Sequence, residues 1–162
     1  MTFDVSKFVN ATYSASTSTK FPVPDEGDYV IQLGAFDEKT WLRVNSFKDK
    51  NTGEDREMVS LEIPVEILDD GQRQKLGISK VTSRYKCILD LDANGDLDFS
   101  EGKNVRLGRL RDVLGQNDPS QPWSIQMLAN KGPLMGHVAI TTDKNDADKK
   151  YSEISRVTKM SG

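Results

Sequence analysis

The sequence has a single cysteine, Cys87, and a single histidine, His137, in 162 residues. One cysteine excludes an intrachain disulfide, and such sparing thiol usage fits a cytoplasmic protein. One histidine leaves the usual Cys/His structural zinc sites short of ligands. A Ser-His-Asp or Cys-His-Asn centre would have to draw its base from His137 alone. No apolar run approaches the ~20 residues of a membrane-spanning helix. The opening Met-Thr-Phe-Asp-Val has neither the basic cluster nor the apolar stretch of a secretory leader, so no membrane partner is expected. The glycine patterns that cradle phosphates, G-x-G-x-x-G and the P-loop, do not occur. Basic charge is not in excess either: the net charge is -3 and the isoelectric point is near 5.2. That argues against a uniformly basic coat, while a local basic groove remains compatible with it.

What is present is the composition of a folded, polar chain, with 36% hydrophobic and 29% charged residues and a mean hydropathy of -0.57. Residues 1–24 read as a flexible N-terminal arm, because Ser14 through Thr19 is a run of small, mostly hydroxylated residues that can bury little. Phe3, Phe8 and Tyr13 are the arm's candidates for docking. Pro22, Pro24 and Asp25-Glu26-Gly27 punctuate the chain, and residues 25–160 form the expected domain. Apolar alternation predicts strands over Gly27–Phe36, Thr40–Phe47, Glu57–Ile67, Leu134–Thr142 and Tyr151–Thr158. Pro64 places a bulge or an edge within the third of these. Asp69 to Gly77 reads as irregular or a short helix, and Val81 to Leu91 as buried with an ambiguous period. Asn104 to Leu114 reads as a helix with Asn104 as N-cap and Gly115 as its stop. Trp123 to Asn130 fits either a short helix or a strand. The expected fold is mainly β: a small OB-like β-barrel of about five strands, with one helix and an irregular acidic insertion between Leu68 and Glu101.

Four groups of residues carry candidate chemistry. Asp90, Asp92, Asn94, Asp96, Asp98 and Glu101 match the twelve-residue calcium loop, with Gly95 at its sharp turn. Against this, Asn94-Gly95 is a common hairpin turn, the preceding segment is β-branched and aromatic, and there is no second loop. Lys103, Arg106, Arg109 and Arg111 put four positive charges within nine residues. They fit either a phosphate-binding ridge or the solvated face of an ordinary helix. Trp41, Phe47 and Tyr85 lie among Arg43, Lys48, Arg84 and Lys86. That is the mixture of flat rings and cations that single-strand binding uses, although a tryptophan in a small β-domain is more often core. Asp98, Glu101 and Lys103 contain the short Glu-x-Lys element of metal-dependent nucleases, but at a turn, where it recurs by chance. No catalytic residues are expected, and no cofactor other than Ca²⁺ at the acidic loop.

The run from Leu89 to Asn117, centred on Gly102-Lys103-Asn104-Val105, Leu107-Gly108-Arg109-Leu110-Arg111 and Gly115-Gln116-Asn117, resembles small phage-encoded single-stranded DNA-binding proteins with oligonucleotide-binding folds. The resemblance covers roughly a third of the chain. It implies non-catalytic binding of single-stranded DNA in phage replication or recombination, inside the infected host's cytoplasm. It also implies that Asp90 to Glu101 is a β-turn insert rather than a calcium site. The chain ends Arg156-Val-Thr-Lys159-Met-Ser-Gly162, without the acidic tail through which many such proteins recruit partners. Under this reading the binding set is Trp41, Arg43, Phe47, Lys48, Arg84, Tyr85, Lys86, Lys103, Arg106, Arg109 and Arg111. Other copies of the chain and replication proteins are further candidate partners. Two alternatives stand beside it: a structural or adaptor protein of a virion or assembly, and a calcium-binding module.

Overall fold

The computed structural model describes residues 2–18 and 22–160. Thr19, the last residue of the Ser/Thr run, lies outside the described residues. The strands are β1 (Gly27–Leu33), β2 (Leu42–Lys48), β3 (Asp55–Ile67), β4 (Val81–Ile88), β5 (Leu134–Thr142) and β6 (Lys150–Thr158). The helices are α1 (Val5–Asn10), α2 (Glu38–Trp41), α3 (Asp70–Leu76) and α4 (Val105–Val113), with a 3₁₀ turn at Ile125–Leu128. The fold is mainly β. Among the described residues, six strands join one antiparallel sheet in the order β2-β3-β1-β5-β6, with β4 also paired to β3. This is one strand and several short helices more than the sequence pattern suggests.

The thirteen-residue β3 organises the sheet. Along one edge its first half pairs with β2, from Lys48 opposite Asp55 to Leu42 opposite Leu61. Its last residues pair with β1, from Leu33 opposite Val65 to Ile31 opposite Ile67. Pro64 falls between these two ladders, where a missing N–H costs no hydrogen bond. Its carbonyl still accepts from Gly34 N at 2.8 Å. Pro64 is thus neither a bulge nor on an edge strand; it sits where β3 changes partner. The other edge of β3 pairs with β4 from Ser60 to Ile67.

Leu61, Ile63, Val65 and Ile67 of β3 face a core shared with Ile31, Val81, Tyr85, Leu134, Val138 and Ile154. Leu107 and Leu110 of α4 and Leu128 of the 3₁₀ turn close it. β4 resolves the segment of ambiguous period: Val81, Tyr85 and Cys87 are buried, while Thr82, Arg84 and Ile88 are exposed. Asp69 caps α3 through the Gln72 amide, and Gly77 ends it at φ 67°. Asn104 precedes α4 as expected, but in the left-handed region and without a side-chain cap.

The second strand is shorter at its start than its alternation implies. Asp37 accepts from Lys39 N and winds Glu38–Trp41 into a helical turn. The β2 alternation therefore begins after Trp41, and the indole turns inward.

β4 and β6 lie side by side, but no backbone ladder joins them among the described residues. Side chains span the seam instead. Ser152 Oγ donates to Ser83 Oγ at 3.0 Å. Arg106, from α4, donates through Nε to Lys86 O at 3.0 Å, through Nη1 to Ser155 O at 2.8 Å and through Nη2 to Ile154 O at 3.0 Å. The planar guanidinium fork satisfies three carbonyls on two strands at once, a geometry an ammonium cannot copy. The Tyr85 ring supports it from below at 4.5 Å, and Tyr85 Oη donates to Arg106 O at 2.7 Å.

Arg106→Ala is expected to cost about 3 kcal/mol, because charge-assisted bonds of this kind contribute ~1.5–3 kcal/mol each and are not additive. Arg106→Lys should recover less than half of that loss. Urea denaturation of the two variants beside the parent chain measures both; a loss below about 1 kcal/mol for the alanine variant would show that the clamp is not a principal support.

Candidate nucleic-acid interface

The outward face of β3 carries Ser60, Glu62 and Pro64 between the inward residues of the core. Register brings β2 and β4 to either side of it. Arg43 lies opposite Ser60, while Lys86 lies opposite Glu62 and Arg84 opposite Pro64. Glu62 therefore sits among three cations. Its Oε2 is 3.0 Å from Arg43 Nε and 3.4 Å from Arg84 Nη1, and its Oε1 is 3.9 Å from Lys86 Nζ. The carboxylate is 10% exposed, whereas Arg43 is 59% and Arg84 45% exposed. One screened acid thus holds three solvent-facing bases, leaving this part of the sheet locally positive. An incoming phosphate would find cations already gathered and oriented.

The same face continues outward along the β2-β3 hairpin. Phe47 lies opposite Arg56, and its ring is 49% exposed. Arg56 Nε is 2.9 Å from Asp49 Oδ2. The hairpin tip holds that acid: Asp49 accepts from the amides of Asn51 and Thr52, which lowers its pKa, the Asn51 amide being the largest cause. From Glu62 to Arg56, six residues at ~3.3 Å each give a strip of about 20 Å that combines cations with an aromatic ring. Lys48 alternates to the other side of β2, opposite Asp55.

The remaining sequence-derived residues are placed elsewhere. Trp41 is fully buried, donates Nε1–H to Ala35 O at 2.9 Å and meets Phe36 edge-on at 5.2 Å; no ring face is open to a base. Tyr85 is 1% exposed, and burial pushes its phenol up to about 12; it is a core residue. Arg106 is committed to the seam. Arg111 stacks on Trp123 at 4.1 Å and donates to Gln116 O at 3.1 Å. Lys103 and Arg109 are exposed at α4, away from the β2-β3-β4 face. The four α4 bases therefore do not act as one ridge.

The acidic loop is a stitched turn. Asp92 N donates to Asp96 O at 2.8 Å and Asp98 N to Asp90 O at 2.9 Å, and Leu91 bridges Leu97. Asp92 Oδ1 accepts from the amides of Asn94 and Asp96, and Asp98 Oδ1 from that of Ser100. Ser100 also holds the Asp98 carboxyl below its ordinary pKa. Asn104 fastens the loop to α4: it exchanges bonds with Asp90 N and Asp90 Oδ2, and its Nδ2 donates to Asp90 O and Asp98 O. Among the described residues no group of three or more His, Cys, Asp or Glu converges as a metal site requires. Glu101 is exposed.

His137 Nδ1 lies 2.8 Å from Asp28 Oδ1 across the β1-β5 ladder. Cys87 is buried in β4, and desolvation pushes its thiol up to about 11. Burial therefore favours the neutral thiol over the thiolate. The residues that the sequence pattern missed are Glu62 and Arg56. Their signal lies in cross-strand register, which a single strand's alternation does not supply. Compared with known proteins, the chain matches no family model, no curated protein and no solved structure.

Asn104→Ala should remove the fastening of the acidic loop and cost about 2 kcal/mol, since it strands buried or half-buried backbone partners. Cys87 should react with an aromatic disulfide reagent at pH 8 only at the rate of unfolding, and within seconds in denaturant. Fast labelling of the native chain would contradict the burial described above.

Proposed function

We propose that this protein binds single-stranded DNA without catalysis and with little sequence preference, in phage replication or recombination, on a small OB-like β-barrel whose β4-β6 seam is side-chain bridged. The observation that carries this reading is the gathering of Arg43, Arg84 and Lys86 around the single carboxylate of Glu62, on the face that also exposes Phe47. Phosphates compete with Glu62 for those bases, and an unpaired base stacks on Phe47. Lys48, Arg56 and the exposed Lys103 and Arg109 add attraction at longer range. Both stacking and charge tolerate any sequence, so specificity is low.

The test is fluorescence anisotropy with a labelled oligo-dT across a series of salt concentrations. Four phosphates neutralised on a single strand give a log–log slope of about -3. The double variant Arg84→Ala, Lys86→Ala should flatten that slope by about 1.4, at ~0.7 for each phosphate left without its cation. Phe47→Ala should cost ~1–3 kcal/mol of binding, the usual value of one stacked base. Glu62→Gln should tighten binding at low salt, because the lost negative charge outweighs the looser placement of the three bases. Absence of binding at low salt, or equal affinity for duplex, overturns the reading.

A further inference from the structure

A second surface of the protein is apolar. On the core side of the β2-β3 hairpin, an open cleft of about 820 Å³ runs between Val59, Leu91, Leu97, Phe99, Trp123 and Ile125. Phe99 is 78% exposed and Leu91 40%. Val44, directly opposite Val59, extends the patch and is 59% exposed. Apolar groups so placed gain free energy when another apolar surface covers them.

The same chain carries a matching element with nothing on it. Helix α1 is capped by Asp4 and presents Val5, Phe8 and Val9 at helical spacing. Phe3 and Tyr13 gather on Phe8 at ring separations of 5.4 and 6.2 Å. None of these five is covered, their exposures running from 56% to 71%. An apolar helical turn this short does not hold its shape in water unless it docks.

We propose that the aromatic arm of one copy docks in the Phe99–Trp123 cleft of a second copy, so that copies join head to tail. Where the arm is tethered adds a cost to docking in its own cleft. Asp25 is fixed to α3 by Lys75 Nζ, at 2.6 and 2.7 Å, and by Gln72 Nε2, at 3.1 Å. Helix α3 follows the C-terminal end of β3, whereas the cleft flanks Val59, eight residues back along that strand and about 26 Å away. The chain between Tyr13 and Asp25 is eleven residues. As a relaxed coil it would span only about 18 Å. Reaching back along its own strand stretches it to about 1.4 times that span, an entropic cost that a neighbouring copy does not impose. Area is sufficient as well. Phe3, Phe8 and Tyr13 alone would cover about 400 Å². With the valines and the cleft's own surface the contact approaches the ~1,000 Å² of a specific interface. Each copy offers one arm and one cleft, so the contact is heterologous and propagates.

Sedimentation of the full chain without DNA tests this apart from the nucleic-acid reading. The parent chain should have a mass above 18.1 kDa that rises with concentration. Phe8→Asp in the arm and Phe99→Asp in the cleft, both at exposed positions, should each be monomeric. Mixed, they should form a one-to-one dimer, because the arm variant keeps an intact cleft and the cleft variant an intact arm. A parent chain monomeric at every concentration overturns the proposal, as does a mixture that fails to complement. A monomer in which Phe8→Asp alters Trp123 fluorescence also overturns it, in favour of docking within one chain.

Discussion

The outer surface of β4 depends on how the β4-β6 seam is held. β4 gives one edge to β3 and has no strand hydrogen-bonded to its other edge among the described residues; an unpaired edge beside a core is a liability unless its carbonyls are satisfied. Arg106 supplies the donors from outside the sheet. Three N–H groups from one side chain reach Lys86, Ile154 and Ser155. Tyr85 then ties the helix backbone back to the strand. The clamp fixes α4 over the core, and Leu107 and Leu110 complete the burial from the same helix. It also fixes Lys86, whose carbonyl is held while its ammonium points toward Glu62. Lys86 therefore links the seam to the Glu62 cluster.

Glu62 performs the corresponding task on the outside. Arg43, Arg84 and Lys86, projecting from two strands that flank β3 without an acid between them, would repel one another and spread. A carboxylate in their midst draws them together while remaining largely covered by them. Pairs of this exposure add little to stability, ~0–1 kcal/mol each. Their consequence is placement: bases are held within reach of one another without being neutralised one for one. This is how a chain of net charge -3 can present a positive face. Several of its acids sit at the 90–101 turn and at hairpin tips, where Asp49, Asp92, Asp98, Asp143 and Asp146 accept from backbone amides.

Strand positions are largely legible in the sequence, because one face of each strand is buried and alternation reports that directly. Two departures have physical causes. The alternation of Thr40–Phe47 puts Trp41 on a strand's open face; Asp37 starts a helical turn that shifts the indole into the core. Tyr85 sits next to two bases, but on the inward side of β4, a matter its ambiguous period leaves open. The α4 bases are legible as a group and not as individuals. Sequence cannot tell a guanidinium that ends on backbone carbonyls, as in Arg106, or on an indole, as in Arg111, from one that stays in water, as in Arg109. That distinction depends on partners far along the chain.

The same long-range dependence explains why the basic face and the apolar cleft emerge only in three dimensions. Both are built on the β2-β3 hairpin, one on each side. Arg43 and Phe47 alternate with Val44 along β2, so a single strand feeds a charged surface and an apolar one. Period 2 separates the two chemistries cleanly. An amphipathic strand normally hides its apolar side in its own core, yet here Val44 is exposed and Val59 only half-buried. The hairpin is longer than the core needs. Its excess length is what exposes Phe47 on one side and Val44, beside the cleft, on the other. A hairpin trimmed to cover only the core would keep the fold and the Glu62 cluster and lose Phe47.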